Sequence, residues 1–469
     1  MSAPTTSSTA AAETRLRAAT HARIVVPADP DYEALRTVVY GGLDIRPALI
    51  VRVRDAADVA ATLAIARDTG LPIAVRGGGH SVAGHSMVEG GIVIDTREMT
   101  AIEIDREAGT AWAEAGVTAG ELSVAATAQG LAIGFGDTGS VGIGGITLGG
   151  GVGYLVRKFG LTIDNLLAAD VVTADGRVLR ASANEHEDLF WAIRGGGGNF
   201  GVVTRFQYRL QPLDGIYGGI LVLPATRETV AGFIAAAEAA SDELSTIANV
   251  MPAPPMPFIP EALHGRTVIF ATLAYAGDQA AGEAAVAPFR ALATPLMDML
   301  RPMAYPELFP PEDDSYHPVA VSRNLYLDHV DEGVADVMLG FLADSDASLR
   351  AAQLRVLGGA SARVPVDATA YAHRKSRIMV NVANFVDGPD DRPVRERWVE
   401  RFAAALDQGD DGVYVNFLGD EGAARIRAAY PGETWDRLRA IKAKYDPTNV
   451  FRRNQNIPPA DGGRATERS

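Results

Sequence analysis

The stretch Arg76-Gly77-Gly78-Gly79-His80-Ser81 holds the residue types best suited to chemistry in this chain. Three successive glycines let the backbone take positive φ and approach a bound group closely, because no Cβ intervenes. Consecutive amides in such a loop form a nest for phosphate or another anion, and Arg76 adds charge beside it. His80 follows at once, and its imidazole is the one good nucleophile that the loop offers. Alone, the stretch reads first as a tight glycine turn with a hydrogen-bonded histidine, and the rest of the chain has to overturn that reading. His85 reads as a polar loop residue, since no acidic cluster accompanies it to make a metal site.

Two more glycine segments follow. Gly134 to Gly153 holds ten glycines in 20 residues, interleaved with Val141, Ile143, Ile146, Leu148 and Val152. A linker would be polar and Ser-rich. An apolar run of this kind reads as buried, either as a barrel corner or as a wall on which something flat and large can lie. In Gly195 to Gly201, the residues Gly196, Gly198 and Gly201 fit G-x-G-x-x-G. That fingerprint belongs after a strand and before a helix. Here it follows a helix, Glu187 to Arg194, and opens a strand, Val202 to Leu210, so it is not a Rossmann site. It still suits a loop that crosses a diphosphate.

The elements that must position these loops alternate. Leu49 to Val53, Pro72 to Val75 and Ile92 to Asp95 read as strands, with a helix from Asp55 through Ala66 that stops near Gly70. Ala101–Ile104 with Ala111–Ala115, and Ala168–Thr173 with Arg177–Ala181, read as hairpins; Asp175-Gly176 gives the second a type I′ signal. Thr118 and Glu121 form a capping box. Past Pro212 to Gly219 the glycine clusters stop. Strands at Gly219–Leu223, Val268–Tyr275, Leu354–Leu357 and Ile378–Phe385, with helices at Glu228–Ala240 and Val394–Leu406, predict an antiparallel sheet packed on one face by helices. The class is α+β. The expected divisions are a disordered tail over 1–20, a first domain over 21–214, a second over 215–410, and a returning segment over 411–469.

Composition narrows the function. The 469 residues and the net charge of −15 describe a globular protein without the basic stripe that nucleic acid demands. There is no cysteine, so disulfides, thiolate nucleophiles and cysteinyl cofactor links are excluded. No stretch approaches the ~20 apolar residues of a membrane span, and Ser2 to Ala12 lacks the pattern of a secretory signal. The expected location is cytoplasmic.

Four blocks, in this order, resemble the berberine-bridge-enzyme type of flavin-linked oxidase within the vanillyl-alcohol-oxidase superfamily. They are Arg76 to Ser81; Val141-Gly-Ile-Gly-Gly145 with Gly149 to Gly151; Gly195 to Gly201 ahead of a strand; and Tyr445-Asp-Pro-Thr-Asn449-Val-Phe451. The resemblance spans about Arg46 to Ile457. It implies a two-subdomain, PCMH-type FAD-binding domain made of the N-terminal half and the C-terminal segment, with an inserted substrate domain of antiparallel sheet covered by helices. It implies FAD bonded through a ring nitrogen of His80 to the flavin 8α-methyl. Many relatives add a second link from a cysteine in Cys-Pro-Thr-Val-Gly; Thr138-Gly139-Ser140-Val141-Gly142 matches that stretch here, so the link is expected through His80 only.

The same resemblance assigns the diphosphate and ribityl contacts to Arg76, Gly77, Gly78, Gly79, His80, Ser81, Gly198, Asn199, Gly201 and Val202. Val141, Gly142, Gly144 and Gly145, with Thr138, are expected against the flavin, and the small Gly136 leaves room for dioxygen. Tyr414-Val415-Asn416 matches the family's Tyr-x-Asn element, and strand alternation would put Tyr414 and Asn416 on one face. Tyr414 is then the candidate catalytic hydroxyl, or else a packing tyrosine, with Asn416 beside it and the cofactor. A phenol titrating near ~10 needs a cation or a network to act as a base. Tyr371, His373 and Arg374 are expected to supply it, and Asn381, Ala383 and Phe385 to line the pocket. The expected function is an FAD-dependent oxidoreductase that takes a hydride from a C–H next to O or N of a small alcohol, sugar or amine and passes the electrons to O2, giving H2O2. The alternatives are a tailoring oxidase or dehydrogenase for a secondary metabolite, or a flavin-binding protein without turnover. Expected partners are a small-molecule substrate and O2, with no metal, nucleic acid or membrane, in a monomer or homodimer.

Overall fold

The computed structural model describes residues 6–460 except Phe258, Asp314 and Pro389. Short runs of Ile, Leu and Val build its first sheet: β1 (Arg23–Val25), β2 (Leu49–Arg52), β3 (Ile73–Arg76) and β4 (Ile92–Asp95), in the order β1-β2-β4-β3. The β2–β4 and β3–β4 pairs are parallel. Parallel strands need crossovers, and the helix Ala56–Thr69 supplies the first. The Asp55 side chain accepts from the Asp58 N–H at its start, and Gly70, at φ 70°, stops it.

The expected N-terminal tail is corrected by this structure. Thr6–Ala19 is a helix, and Ala12 and Leu16 are fully buried in the core of the first sheet. Alanine is the best helix former, and Ala12 and Leu16 are one turn apart on one face. Residues 1–5 of that expectation lie outside the described residues.

The second sheet is antiparallel: β5 (Ile102–Asp105), β6 (Thr110–Glu114), β7 (Leu166–Val172), β8 (Val178–Ser182) and β9 (Val202–Arg209), in the order β5-β6-β9-β7-β8. The capping box of Thr118 and Glu121 is formed. The β7–β8 turn is not of type I′, which needs two positive φ values. Only Gly176 has one (φ 88°), and its N–H donates to Thr173 O at 2.8 Å, a type I turn closed by a glycine bulge.

The third sheet is the largest. Its long strands are β10 (Ile216–Pro224), β11 (Leu244–Pro252), β12 (Thr267–Tyr275), β13 (Ala320–Leu327), β14 (Arg350–Val356) and β15 (Ile378–Phe385), in the order β10-β12-β11-β14-β15-β13; two short strands, Met297–Asp298 and Arg301–Met303, pair with β10. Leu221, Leu273, Ala248, Leu354, Val380 and Leu325 face a core shared with the helices Arg227–Ala239, Glu332–Asp344 and Arg392–Leu406. The other face turns toward the glycine-rich loops, where Tyr326 and Met379 pack with Val152, Tyr371 and Tyr414.

The C-terminal segment is bolted to the first half by a buried charge pair. Lys442 Nζ donates to Asp446 (2.7 Å), Asn199 O (2.7 Å) and Phe451 O (2.8 Å), and Asp446 accepts the N–H groups of Val450 and Phe451. Among the described residues, no helix is long and apolar enough to cross a membrane.

Candidate active site

A cavity of about 350 Å³ runs from the ends of the first sheet to the open face of the third. Its wall is made by the three glycine segments, by Tyr414–Leu418 and by Phe451 with Arg453–Gln455. Gly77, Gly78, Gly79, His80, Ser81, Gly136, Thr138, Val141, Gly142, Gly144, Gly145, Gly198, Asn199, Gly201, Val202, Tyr414 and Asn416 all line it. Sequence positions as far apart as 77 and 416 are thus brought to one space.

Glycine is required where backbones meet. A Cβ on Gly78 would overlap the amide of Gly142, so two of the three loops touch directly. A Cβ on Gly145 or Gly198 meets nothing within 4 Å, so these two glycines border open space. Among the described residues, the N–H groups of Gly78, Gly79, His80 and Ser81 have no acceptor in the chain. Orphan amides are rare, and four in succession on a cavity wall form an anion-binding concavity.

Arg76 is a correction. Its guanidinium is buried and turned away from the cavity, donating to Leu35 O and to Thr37 O (2.6 Å). As the last residue of β3 it points to the face opposite Val75, which does line the cavity. Arg76 holds the loop from behind and puts no charge on a bound anion; burial lowers its own pKa to about 10.

His80 Nε2 is hydrogen-bonded to Ser140 Oγ at 2.8 Å, and the Ser140 N–H donates to Glu312 at 2.6 Å. Burial pushes the imidazole pKa below its ordinary value against the pull of Glu312 and Asp137, so the ring is neutral and nucleophilic at pH 7. His85 also lines the cavity, and burial lowers it to about 4.

Tyr414 and Asn416 do not lie on a strand. Val415–Phe417 is a single 3-10 turn, and Tyr414 precedes it. The turn still brings the two together: Asn416 Nδ2 donates to Tyr414 Oη at 2.9 Å. The Gly151 N–H donates to the same oxygen at 2.9 Å. Gly149 makes room for this, since a Cβ there would overlap the Asn416 amide. Burial holds the phenol above its ordinary value, and Asn416, Gly151 and Arg355 offset only part of that rise. Two N–H donors on one oxygen stabilise the phenolate.

The helpers expected for Tyr414 are corrected in part. Tyr371 packs edge-on against it, with ring centroids 6.2 Å apart. His373 is spent on Ala429 O (3.0 Å), and Arg374 on both oxygens of Asp164 (2.8 Å each). The cation that acts on Tyr414 is Arg355, which donates to Val152 O (2.9 Å) and Asp137 (2.6 Å) and lies 5.0 Å from the Phe417 ring, itself 5.1 Å from Tyr414. Sequence reading missed Arg355, Tyr40, Phe417 and Asp137. Asp137 alone had a signal, as the single carboxylate within Gly134 to Gly153. Asn381, Ala383 and Phe385 do share a face of β15, but they stand beyond the cavity wall.

Residues 47–182 match the family model described as FAD binding domain, and residues 413–458 match the model described as berberine and berberine like. The FAD-linked oxidoreductase YgaK of Bacillus subtilis is 30% identical over 448 residues, covering 93% of this chain and 97% of that one. The chain belongs to the berberine-bridge-enzyme-like FAD-linked oxidoreductases. Another relative, (R)-6-hydroxynicotine oxidase of Paenarthrobacter nicotinovorans, is 30% identical over 459 residues, 93% of this chain and 96% of that protein. The solved 6-hydroxy-D-nicotine oxidase of Arthrobacter nicotinovorans superposes with a TM-score of 0.83 at 29% identity, over 94% and 98% of the two chains. The moss protein Physcomitrella patens BBE-like 1 shares the fold at 23% identity, with a TM-score of 0.85 over 96% and 99%. This chain is thus an FAD-dependent oxidoreductase of PCMH-type fold. The orphan amides of Gly78 to Ser81 and the open flanks of Gly145 and Gly198 fit that cofactor.

Proposed function

We propose that this oxidoreductase takes a hydride from a C–H bond next to oxygen or nitrogen of a small organic substrate and delivers the electrons to dioxygen. The observation that carries the reading is Tyr414 Oη, on the cavity wall, accepting from both Asn416 Nδ2 and the Gly151 N–H. Held in this way, the phenolate takes the proton of the substrate O–H or N–H while the C–H electron pair departs as hydride. FAD, when bound, supplies the two-electron acceptor, and its electrons leave on dioxygen as hydrogen peroxide. The amides of Gly78 to Ser81 and the Gly197–Asn199 loop hold the diphosphate, and Gly142, Gly144 and Gly145 the flavin side.

His80 is the attachment point in this reading. Ser140 is hydrogen-bonded to Nε2, so Nδ1 is the ring nitrogen that would carry the cofactor, and burial keeps the ring unprotonated. Thr138 cannot supply a second link, so FAD is held through His80 only. Gly136 keeps the oxygen path wide; a side chain there would press on Ile146 Cδ1 at 2.8 Å. Anaerobic mixing with alcohols, sugars and amines tests the proposal. At least one class should bleach the visible flavin band, and air should restore it with release of one peroxide per flavin. A protein whose flavin is bleached by dithionite but by none of these classes contradicts it.

A further inference from the structure

Ser140 joins two parts of the chain that are far apart in sequence. Its Oγ lies 2.8 Å from His80 Nε2, and its N–H donates to Glu312 Oε1 at 2.6 Å, across 172 positions. A Cβ on Gly78 would come within 2.7 Å of the Ser140 carbonyl oxygen, so direct backbone contact holds Ser140 against the histidine loop.

Glu312 is presented by a stiff segment. Tyr305–Leu308 is a 3-10 turn, and Phe309 packs edge-on against Tyr305 with ring centroids 5.6 Å apart. Pro310 and Pro311 follow, each with φ locked by its ring, and carry the chain from this anchor to Glu312. Gly139 makes room for the approach, since a Cβ there would lie 3.3 Å from Glu312 Oε1 and 3.6 Å from Phe309 Cβ. The carboxylate therefore stands at the Nε2 end of the imidazole, reached through Ser140. Glu312 and Asp137 both pull the ring toward its protonated form, against burial.

A neutral imidazole carries one N–H, and the partners of its nitrogens decide which one holds it. A negative charge beyond Nε2 places the proton there, with Ser140 Oγ accepting, and leaves the lone pair on Nδ1. Among the described residues, Ser140 Oγ makes no other hydrogen bond in the chain, and the residue is half-buried, within reach of water.

We propose that Ser140, oriented by Glu312, is the positioning residue that sets the His80 tautomer and relays its proton during covalent attachment of FAD. The inference rests on the His80 link proposed above. For each bond formed, Nδ1 joins the flavin 8α-carbon, that carbon gives up one proton, and the Nε2 proton leaves through Ser140 Oγ. The two electrons left on the flavin pass to dioxygen, which takes up two protons and becomes hydrogen peroxide. A hydroxyl suits this role because it accepts from Nε2 before the bond forms and donates to it afterwards.

The test uses full-length protein made under riboflavin limitation and mixed with FAD in air, with acid-precipitable flavin followed against total bound flavin. Ser140→Ala should bind as much FAD as wild type but attach it at least about 10-fold more slowly, as loss of a positioned proton acceptor does. Ser140→Thr, which keeps the hydroxyl, should attach it at the wild-type rate. Glu312→Gln keeps an acceptor for the Ser140 N–H but not the charge, and should slow attachment about threefold. Its side chain is exposed, so this variant decides the matter if Ser140→Ala does not fold, and a wild-type rate in it then overturns the proposal. Attachment at the wild-type rate in Ser140→Ala also overturns it, as does a threonine variant as slow as alanine, or an alanine variant slow only because it binds less FAD. Wild-type protein that binds FAD and never attaches it overturns the His80 link itself, a distinct result.

Discussion

Asn416 Nδ2 donates to Tyr414 Oη across a single 3-10 turn, at the same 2.9 Å as the Gly151 N–H on the same oxygen. The phenol is buried, which raises its pKa, and these two donors with Arg355 oppose that rise. Flavin reduction should therefore accelerate with pH up to the Tyr414 titration. Tyr414→Phe should slow it at least about 100-fold. Asn416→Ala and Arg355→Gln should each move the alkaline limb upward, and Asp137→Asn, which frees the Arg355 charge, should move it downward. Stopped-flow reduction from pH 6 upward, with brief pH jumps that carry the series through the alkaline limb above about 10, reads all four.

Gly78 packs against the Gly142 amide with no space for a Cβ. Gly78→Ala should cost about 1–3 kcal/mol and reduce retained flavin per chain. Denaturant midpoint and the ratio of visible to ultraviolet absorbance give the two readouts.

Lys442 and Asp446 have fully buried side chains 2.7 Å apart. Lys442→Met leaves Asp446 uncompensated and should destabilise by about 3–5 kcal/mol. The loss should be seen first as protease sensitivity of the Tyr445–Phe451 segment, because Asp446 holds the N–H groups of Val450 and Phe451.

Burial lowers His85 from 6.5 to about 4. The unfolded chain therefore takes up a proton that the folded chain refuses as pH falls through that window, and stability falls with it. The loss should be about 3 kcal/mol between pH 6.5 and 4. His85→Asn should flatten that part of the stability–pH curve, measured by urea unfolding at pH 7 and 4.5.

Glycine made the cofactor cavity legible in the sequence. At Gly78, Gly142 and Gly149 the residue type itself is the structural requirement, so clusters of them marked the walls without any three-dimensional information. Tyr414 and Asn416 were legible as a pair, although a turn and not strand alternation brings them together. Arg76 was misplaced because a charge next to a loop says nothing of which strand face it takes. The pair of Asp137 and Arg355 joins residues 218 positions apart. No local spacing carries such information. The N-terminal helix was hidden by its Ser-, Thr- and Ala-rich composition, in which Ala12 and Leu16 mark its buried side.

The most direct measurement is the visible spectrum of the purified protein and of its washed acid pellet, for wild type and His80→Ala. A yellow wild-type pellet beside a colourless His80→Ala pellet is the predicted result. Colour released to the wild-type supernatant contradicts the link at His80, and a protein that neither contains nor takes up FAD contradicts the account of the cavity.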